Sequence, residues 1–90
     1  MRKITEQIVG SFLAKQKKSN GATMTTGESL YLHGNEIARH TAKGLQITNA
    51  GWFSKTTKER LNAIPGVSIY QKSGEWFLNG KKWNGEWIII

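Results

Sequence analysis

The chain has 90 residues, of which 38 % are hydrophobic and 10 % aromatic, and it carries a formal net charge of +7. This length supports one domain with one small core, and the absence of cysteine excludes disulfides, thiolate metal sites and cysteine nucleophiles. No apolar stretch approaches the roughly 20 residues that span a bilayer, and the start "MRKITEQIVG" lacks a secretory pattern. We therefore expect a cytoplasmic protein without membrane contact, whose basic charge favours a polyanionic partner.

The first segment has the pattern of an amphipathic helix. Ile4, Ile8 and Phe12 recur every four residues, which predicts a helix from about 3 to 17. Most of the excess positive charge lies within residues 1–20. Three of these cations are expected in the last turn, where they would complement the negative helix end: Lys15, Lys17 and Lys18.

The middle of the chain predicts strands followed by a short second helix. Residues 22–52 are rich in Thr, Ile and Leu and are broken by "TTG", "HGN" and "AKG", which indicates about three hairpinned strands. Thr56 and Glu59 then have the spacing of a capping box, so we expect a helix over 54–65. Pro65 would end it, because proline disfavours helical geometry in the preceding residue.

The remaining residues, 67–90, predict further strands that include "GEWFLNGKKWNGEWIII". "GESLYLHGNEI" aligns with "GEWFLNGKKW", which suggests equivalent turns at Gly34 and Gly80 and a core position for Trp83 facing Leu78. The whole chain is expected to be a single α+β domain over 1–90. In it, an antiparallel sheet of about five strands packs against the amino-terminal helix, and a short second helix precedes the carboxyl-terminal hairpin.

Basic residues near the two helices form the main candidate surface for phosphate binding. One group belongs to the first helix, together with Arg2, and a second group belongs to the short helix, whose amino end also favours anions. The predicted nucleic-acid-binding residues are Lys3, Lys15, Lys17, Lys18, Lys55, Lys58 and Arg60.

The tryptophan-rich end has two interpretations. Single-strand binders combine aromatic side chains that stack on bases with cations that attract phosphates. The relevant residues here are Trp76, Phe77 and Trp87, with Lys72, Lys81 and Lys82. Alternatively, these aromatic residues pack across strands and the lysines are solvated strand edges.

The sequence predicts no enzyme, cofactor or metal site. His33, Glu36 and His40 could be drawn as a metal trio, but on a hairpin they need not converge, and metal sites require converging ligands. The chain has no Asp, and it lacks the glycine-rich nucleotide signatures and the nucleophile elbow.

A family resemblance covers roughly residues 30–83. It rests on "LYLHGNEIA", Gly51-Trp52, the Thr57-x-Glu59-Arg60-Leu61-Asn62 run, Pro65-Gly66 and the two Leu-x-Gly turns. These motifs resemble a group of small uncharacterised proteins encoded by tailed bacteriophages. The resemblance implies phage origin and action inside a bacterial host, and it supplies no activity. The first twenty residues lie outside it.

Two hypotheses follow for function. The first is a non-enzymatic protein that binds nucleic acid through its basic surface. The second is a phage inhibitor that docks on a host defence or transcription protein through exposed aromatic anchors: Trp52, Phe53 and Tyr70. The terminal "WIII" leaves open a homo-oligomer formed through an exposed sheet edge.

Overall fold

The computed structural model describes residues 3–90, without the side chain of Ile4, and has two helices and two antiparallel sheets in this range. The helices are α1 (Lys3–Leu13) and α2 (Lys55–Asn62). The larger sheet has the order β1-β2-β3-β4-β5-β9, with β1 (Lys18–Asn20), β2 (Thr23–Thr25), β3 (Ser29–Leu32), β4 (Asn35–Thr41), β5 (Gly44–Ile47) and β9 (Ile88–Ile89). The smaller sheet has the order β6-β7-β8, with β6 (Ile69–Lys72), β7 (Glu75–Leu78) and β8 (Lys81–Lys82). The predicted α+β class is confirmed, with more and shorter strands than expected.

Helix α1 ends earlier than its sequence pattern predicts. The Lys15 amide donates to the Phe12 carbonyl at 3.1 Å, the Gln16 amide donates to the Ser11 carbonyl at 2.8 Å, and Lys15 has a positive φ of 58°. This is the left-handed Schellman termination, here with lysine in the position that glycine usually takes. The prediction that Lys15, Lys17 and Lys18 lie in the last turn is therefore wrong. Arg2 lies outside the described residues.

The N-cap of helix α2 lies two residues before Thr56, the N-cap of the predicted capping box. Ser54 is the N-cap, and its side chain accepts a hydrogen bond from the Thr57 amide at 3.2 Å. Thr56 lies inside the helix, so the predicted Thr56–Glu59 box is wrong. No helix within residues 3–90 is long and apolar enough to cross a bilayer.

The larger sheet has one covered face and one open face. Leu30 and Leu32 of β3 are buried, whereas Tyr31 between them is half-buried on the opposite face, as alternation along a strand requires. Buried residues of both helices, of the larger sheet's covered face and of the smaller sheet join in one hydrophobic cluster. The other side of the larger sheet is therefore its open face.

The turns at Gly34 and Gly80 are equivalent, as the aligned segments predict, and Trp83 belongs to the core. Both central residues of His33-Gly34 and of Asn79-Gly80 have positive φ, as a two-residue hairpin of primed type needs. Such a tight turn pairs Leu78 with Lys81, so the predicted contact of Leu78 facing Trp83 is wrong. The Trp83 amide instead donates to the Trp76 carbonyl at 3.0 Å, and the Trp83 side chain is only 7 % exposed.

Candidate nucleic-acid interface

Three lysines gather where α1 passes into the edge strand β1. Lys15, Lys17 and Lys18, here called the basic corner, are all exposed, and within residues 3–90 none of them forms an ion pair. Lys17 and Lys18 line an open groove of about 340 Å³ beside the exposed side chain of Met24. Glu28 shares a surface depression with Lys15. The basic corner therefore presents three solvated ammonium groups from neighbouring positions of the chain.

The other predicted lysines occupy the helices. Lys3 and Lys55 are exposed at the first positions of α1 and α2. Lys58 is half-buried. Its Nζ donates to Gln71 Oε1 at 3.2 Å and lies 5.7 Å from the centroid of the Trp76 ring. The ammonium group of Lys58 thus points toward the smaller sheet and is only partly solvated.

Arg60 is a buried structural residue, so its predicted role in phosphate binding is wrong. It is 6 % exposed, and its Nε donates to Thr23 Oγ1 at 3.0 Å. Its Nη1 donates to Thr5 Oγ1 at 2.5 Å and to the carboxylate of Glu59. Thr5 Oγ1 in turn donates to Glu59 Oε1 at 2.8 Å. The guanidinium therefore ties α2 to α1 and to β2. Its position three residues after Thr57 places it on the buried face of α2, whereas its charge favoured the prediction of a solvated side chain.

The three predicted aromatic anchors are exposed but do not form one surface. Trp52 and Phe53 are each 59 % exposed, and Tyr70 is 44 % exposed. Phe53 packs edge-on against Trp76, with ring centroids 5.1 Å apart, whereas Tyr70 stacks on Phe77 at 5.3 Å. Because successive residues of a strand point to opposite faces, Phe53 and Tyr70 lie on opposite faces of the smaller sheet. Tyr70 is thereby separated from Phe53, and Trp52 borders a different cleft from Phe53.

An open cleft of about 530 Å³ lies on the Phe53 side of the smaller sheet. We call it the aromatic cleft and define it by its lining residues Phe53, Trp76 and Trp83, with Glu75, Lys82 and Asn84 at its polar side. The Trp76 and Trp83 ring centroids are 6.3 Å apart. Lys82 Nζ lies 2.9 Å from Glu75 Oε1, and both side chains are well exposed.

The two buried indoles of this cleft differ in their hydrogen bonding. Trp83 Nε1 donates to the Glu86 carbonyl at 3.0 Å. Trp76 Nε1, by contrast, is buried and has no hydrogen-bond partner among residues 3–90. Such a group is uncommon in folded proteins, because an indole N–H that leaves water without a partner loses a hydrogen bond. The packing interpretation is confirmed for Trp76 and Trp83, which are core residues and also line a surface cleft. The nucleic-acid interpretation of the tryptophan-rich end stays a prediction.

The open face of the larger sheet carries a second aromatic and cationic pair, which sequence reasoning did not identify. Arg39 Cζ lies 3.9 Å from the centroid of the Trp87 ring, and Arg39 Nε donates to Gln46 Oε1 at 2.9 Å. Alternation along β4 could have placed Arg39 outward opposite buried Ala38. Its contact with Trp87 depends on the pairing of β5 with β9, which no local pattern shows.

The histidines and Glu36 do not converge on a metal. Within the described part of the chain, no cluster of three His, Asp or Glu side chains could hold an ion. His40 Nε2 donates to the Phe12 carbonyl at 2.8 Å and its ring packs on Phe12, whereas His33 is exposed in a turn. Glu36 accepts a hydrogen bond from the Ser29 hydroxyl.

These observations define a small α+β protein with an exposed basic corner at a sheet edge and an aromatic cleft on its smaller sheet. The chain belongs to the Kyanoviridae Gp96 protein family, which it matches over residues 1–88. The predicted tailed-phage origin is thereby confirmed, and the match includes α1, which lay outside the sequence resemblance. No curated protein matches the chain. No solved structure matches it either.

Proposed function

We propose that this phage protein binds nucleic acid without catalysis, in the cytoplasm of the bacterial host, through lysines exposed around α1 and α2. The observation that carries the proposal is the basic corner, where Lys15, Lys17 and Lys18 are exposed and none is neutralised by an ion pair within residues 3–90. Phosphate groups attract such solvated ammonium groups, and neutralising them releases condensed counterions. Lys3 and Lys55 extend the set of exposed cations to the first turns of both helices.

A salt titration of binding tests this proposal. If about five phosphates are neutralised, affinity for a fluorescent oligonucleotide should fall a few hundred-fold between about 50 and 200 mM salt. Fluorescence anisotropy with single-stranded and duplex probes measures the slope for both. Binding that is independent of salt, or no binding at low salt, would remove the proposal.

A second candidate function is inhibition of a host protein, and the exposure of Trp52 favours it. This indole is 59 % exposed and borders a smaller cleft of about 210 Å³, together with Leu32, His33 and Ile37. Exposed tryptophans beside a recess are common anchors of protein interfaces. A host protein captured from nuclease-treated lysate and lost with Trp52→Ala would support inhibition, whereas loss of every partner on nuclease treatment would favour nucleic-acid binding.

A further inference from the structure

The aromatic cleft has the geometry of a site for a flat ring. Its volume of about 530 Å³ lies within the range of roughly 300–1,000 Å³ that is typical of small-ligand sites. Phe53 forms one wall and is 59 % exposed, so much of its side chain is accessible to a ring that enters from solvent. Trp76 and Trp83 form the floor of the cleft. The amide of Asn84 and the carboxylate of Glu75 provide polar groups at its rim.

The charges around the cleft favour a ring that carries a negative group. Lys58 Nζ already lies over the Trp76 ring, at 5.7 Å from its centroid. Among the described residues that line the cleft, the one carboxylate is that of Glu75, which forms an ion pair with Lys82. A cationic ligand, the usual guest of aromatic cages, would be repelled by the ammonium group of Lys58. A planar ring attached to a phosphate group matches both the aromatic walls of the cleft and the positive charge beside it.

We propose that the aromatic cleft holds one unpaired base of a single-stranded polynucleotide, an assignment that rests on the proposed nucleic-acid binding. The base stacks on Phe53, and the ammonium group of Lys58, which lies 5.7 Å from the Trp76 ring centroid, attracts the adjoining phosphate. Bases inside a duplex cannot enter such a cleft, because both of their faces are covered by neighbouring base pairs. The expected partner is therefore a single strand rather than nucleic acid in general, and the exposed ring of Phe53 acquires a role in binding it.

The decisive measurement compares a thymidine oligomer with an abasic oligomer of the same length and backbone charge. Stacking of a base on an aromatic side chain should make the thymidine oligomer bind about ten-fold more tightly. Phe53→Ala should abolish this difference, and Phe53→Trp should preserve it. Phe53→Leu keeps an apolar contact with Trp76 while removing the flat ring, so it separates the loss of stacking from any loss of folding.

Trp52→Ala is the matched control, because Trp52 is adjacent in sequence, equally exposed and does not line the aromatic cleft. It should leave the ten-fold preference for the thymidine oligomer unchanged. A uridine oligomer tested beside the thymidine oligomer distinguishes an RNA from a DNA strand as the source of the base.

Equal binding of the two oligomers by the unaltered protein, or a preference that persists in Phe53→Ala and Phe53→Leu, would overturn the cleft assignment. In either case salt-dependent binding of both oligomers would leave the proposed function standing. If neither oligomer binds but a duplex probe does, the cleft assignment alone fails. If no probe binds, the proposed function and the cleft assignment both fail.

Discussion

Arg60 Nε donates to Thr23 Oγ1 at 3.0 Å, which joins the second helix to the second strand through two buried side chains. The same guanidinium bonds Thr5 of α1, so a single cation connects three elements that are distant in the sequence. A cation in this position stabilises the fold and has no access to an external phosphate.

Replacing Arg60 should therefore reduce stability without weakening nucleic-acid binding by the folded protein. Arg60→Ala leaves the hydroxyls of Thr5 and Thr23 without their donor, and we expect a loss of about 3 kcal/mol in the free energy of unfolding. Arg60→Lys should recover only part of it, because an ammonium group cannot reproduce the planar fork. Urea denaturation measures the loss, and a selective fall in oligonucleotide affinity at full folding would contradict this assignment.

The start of α2 can be tested by comparing two neighbouring hydroxyls. Ser54→Ala removes the acceptor of the Thr57 amide and should lower the free energy of unfolding by about 1 kcal/mol. Thr56→Ala lies within the helix and should change it by less than about 0.5 kcal/mol. Thermal denaturation of the two variants decides between them, and the reverse ranking would restore the capping box that the sequence suggested.

Gly85 should be intolerant of any side chain. It has φ +90°, and an added Cβ would overlap the side chain of Asn49. Its carbonyl accepts hydrogen bonds from the Asn49 amide at 3.1 Å and from the Thr48 hydroxyl, so this contact holds the segment that leads into β9. Gly85→Ala should cost about 2–5 kcal/mol, which combines the left-handed backbone with the steric overlap.

Gly80→Ala provides the control for backbone strain alone. Gly80 has a similar φ of +87°, but nothing lies within 4 Å of an added Cβ. We expect a loss of only about 1–2 kcal/mol. Equal losses for Gly80→Ala and Gly85→Ala in chemical denaturation would show that the contact with Asn49 adds nothing.

Removing single charges from the basic corner should change the salt dependence of oligonucleotide binding by a defined amount. Lys17→Gln and Lys18→Gln should each weaken oligonucleotide binding similarly for all sequences and reduce the salt slope by about one contact. Lys81→Gln removes the same charge from the exposed edge strand β8 and should leave the slope unchanged. Anisotropy titrations at several salt concentrations give each slope, and an equal effect of all three substitutions would indicate net charge rather than a local site.

The sequence by itself determined the α+β class, the buried face of α1 and the placement of Trp83 in the core. These follow from local patterns, since the spacing of apolar residues fixes which side of a helix is buried, and paired positive-φ residues fix a tight turn. The exposure of Lys15, Lys17 and Lys18 was also predictable, although the helix itself ends at Leu13.

Only the tertiary structure decided the role of Arg60, the separation of Tyr70 from Phe53 and the contents of the aromatic cleft. Each depends on which elements meet across long sequence distances: Arg60 bonds residues 37 and 55 positions away, and Phe53 packs on a strand that begins at Glu75. A charged residue on a helix is usually solvated, so the charge of Arg60 favoured its exposure, although its spacing from Thr57 places it on the buried face of α2. The buried hydroxyls of Thr5 and Thr23, which make its burial favourable, become neighbours only after the chain has folded.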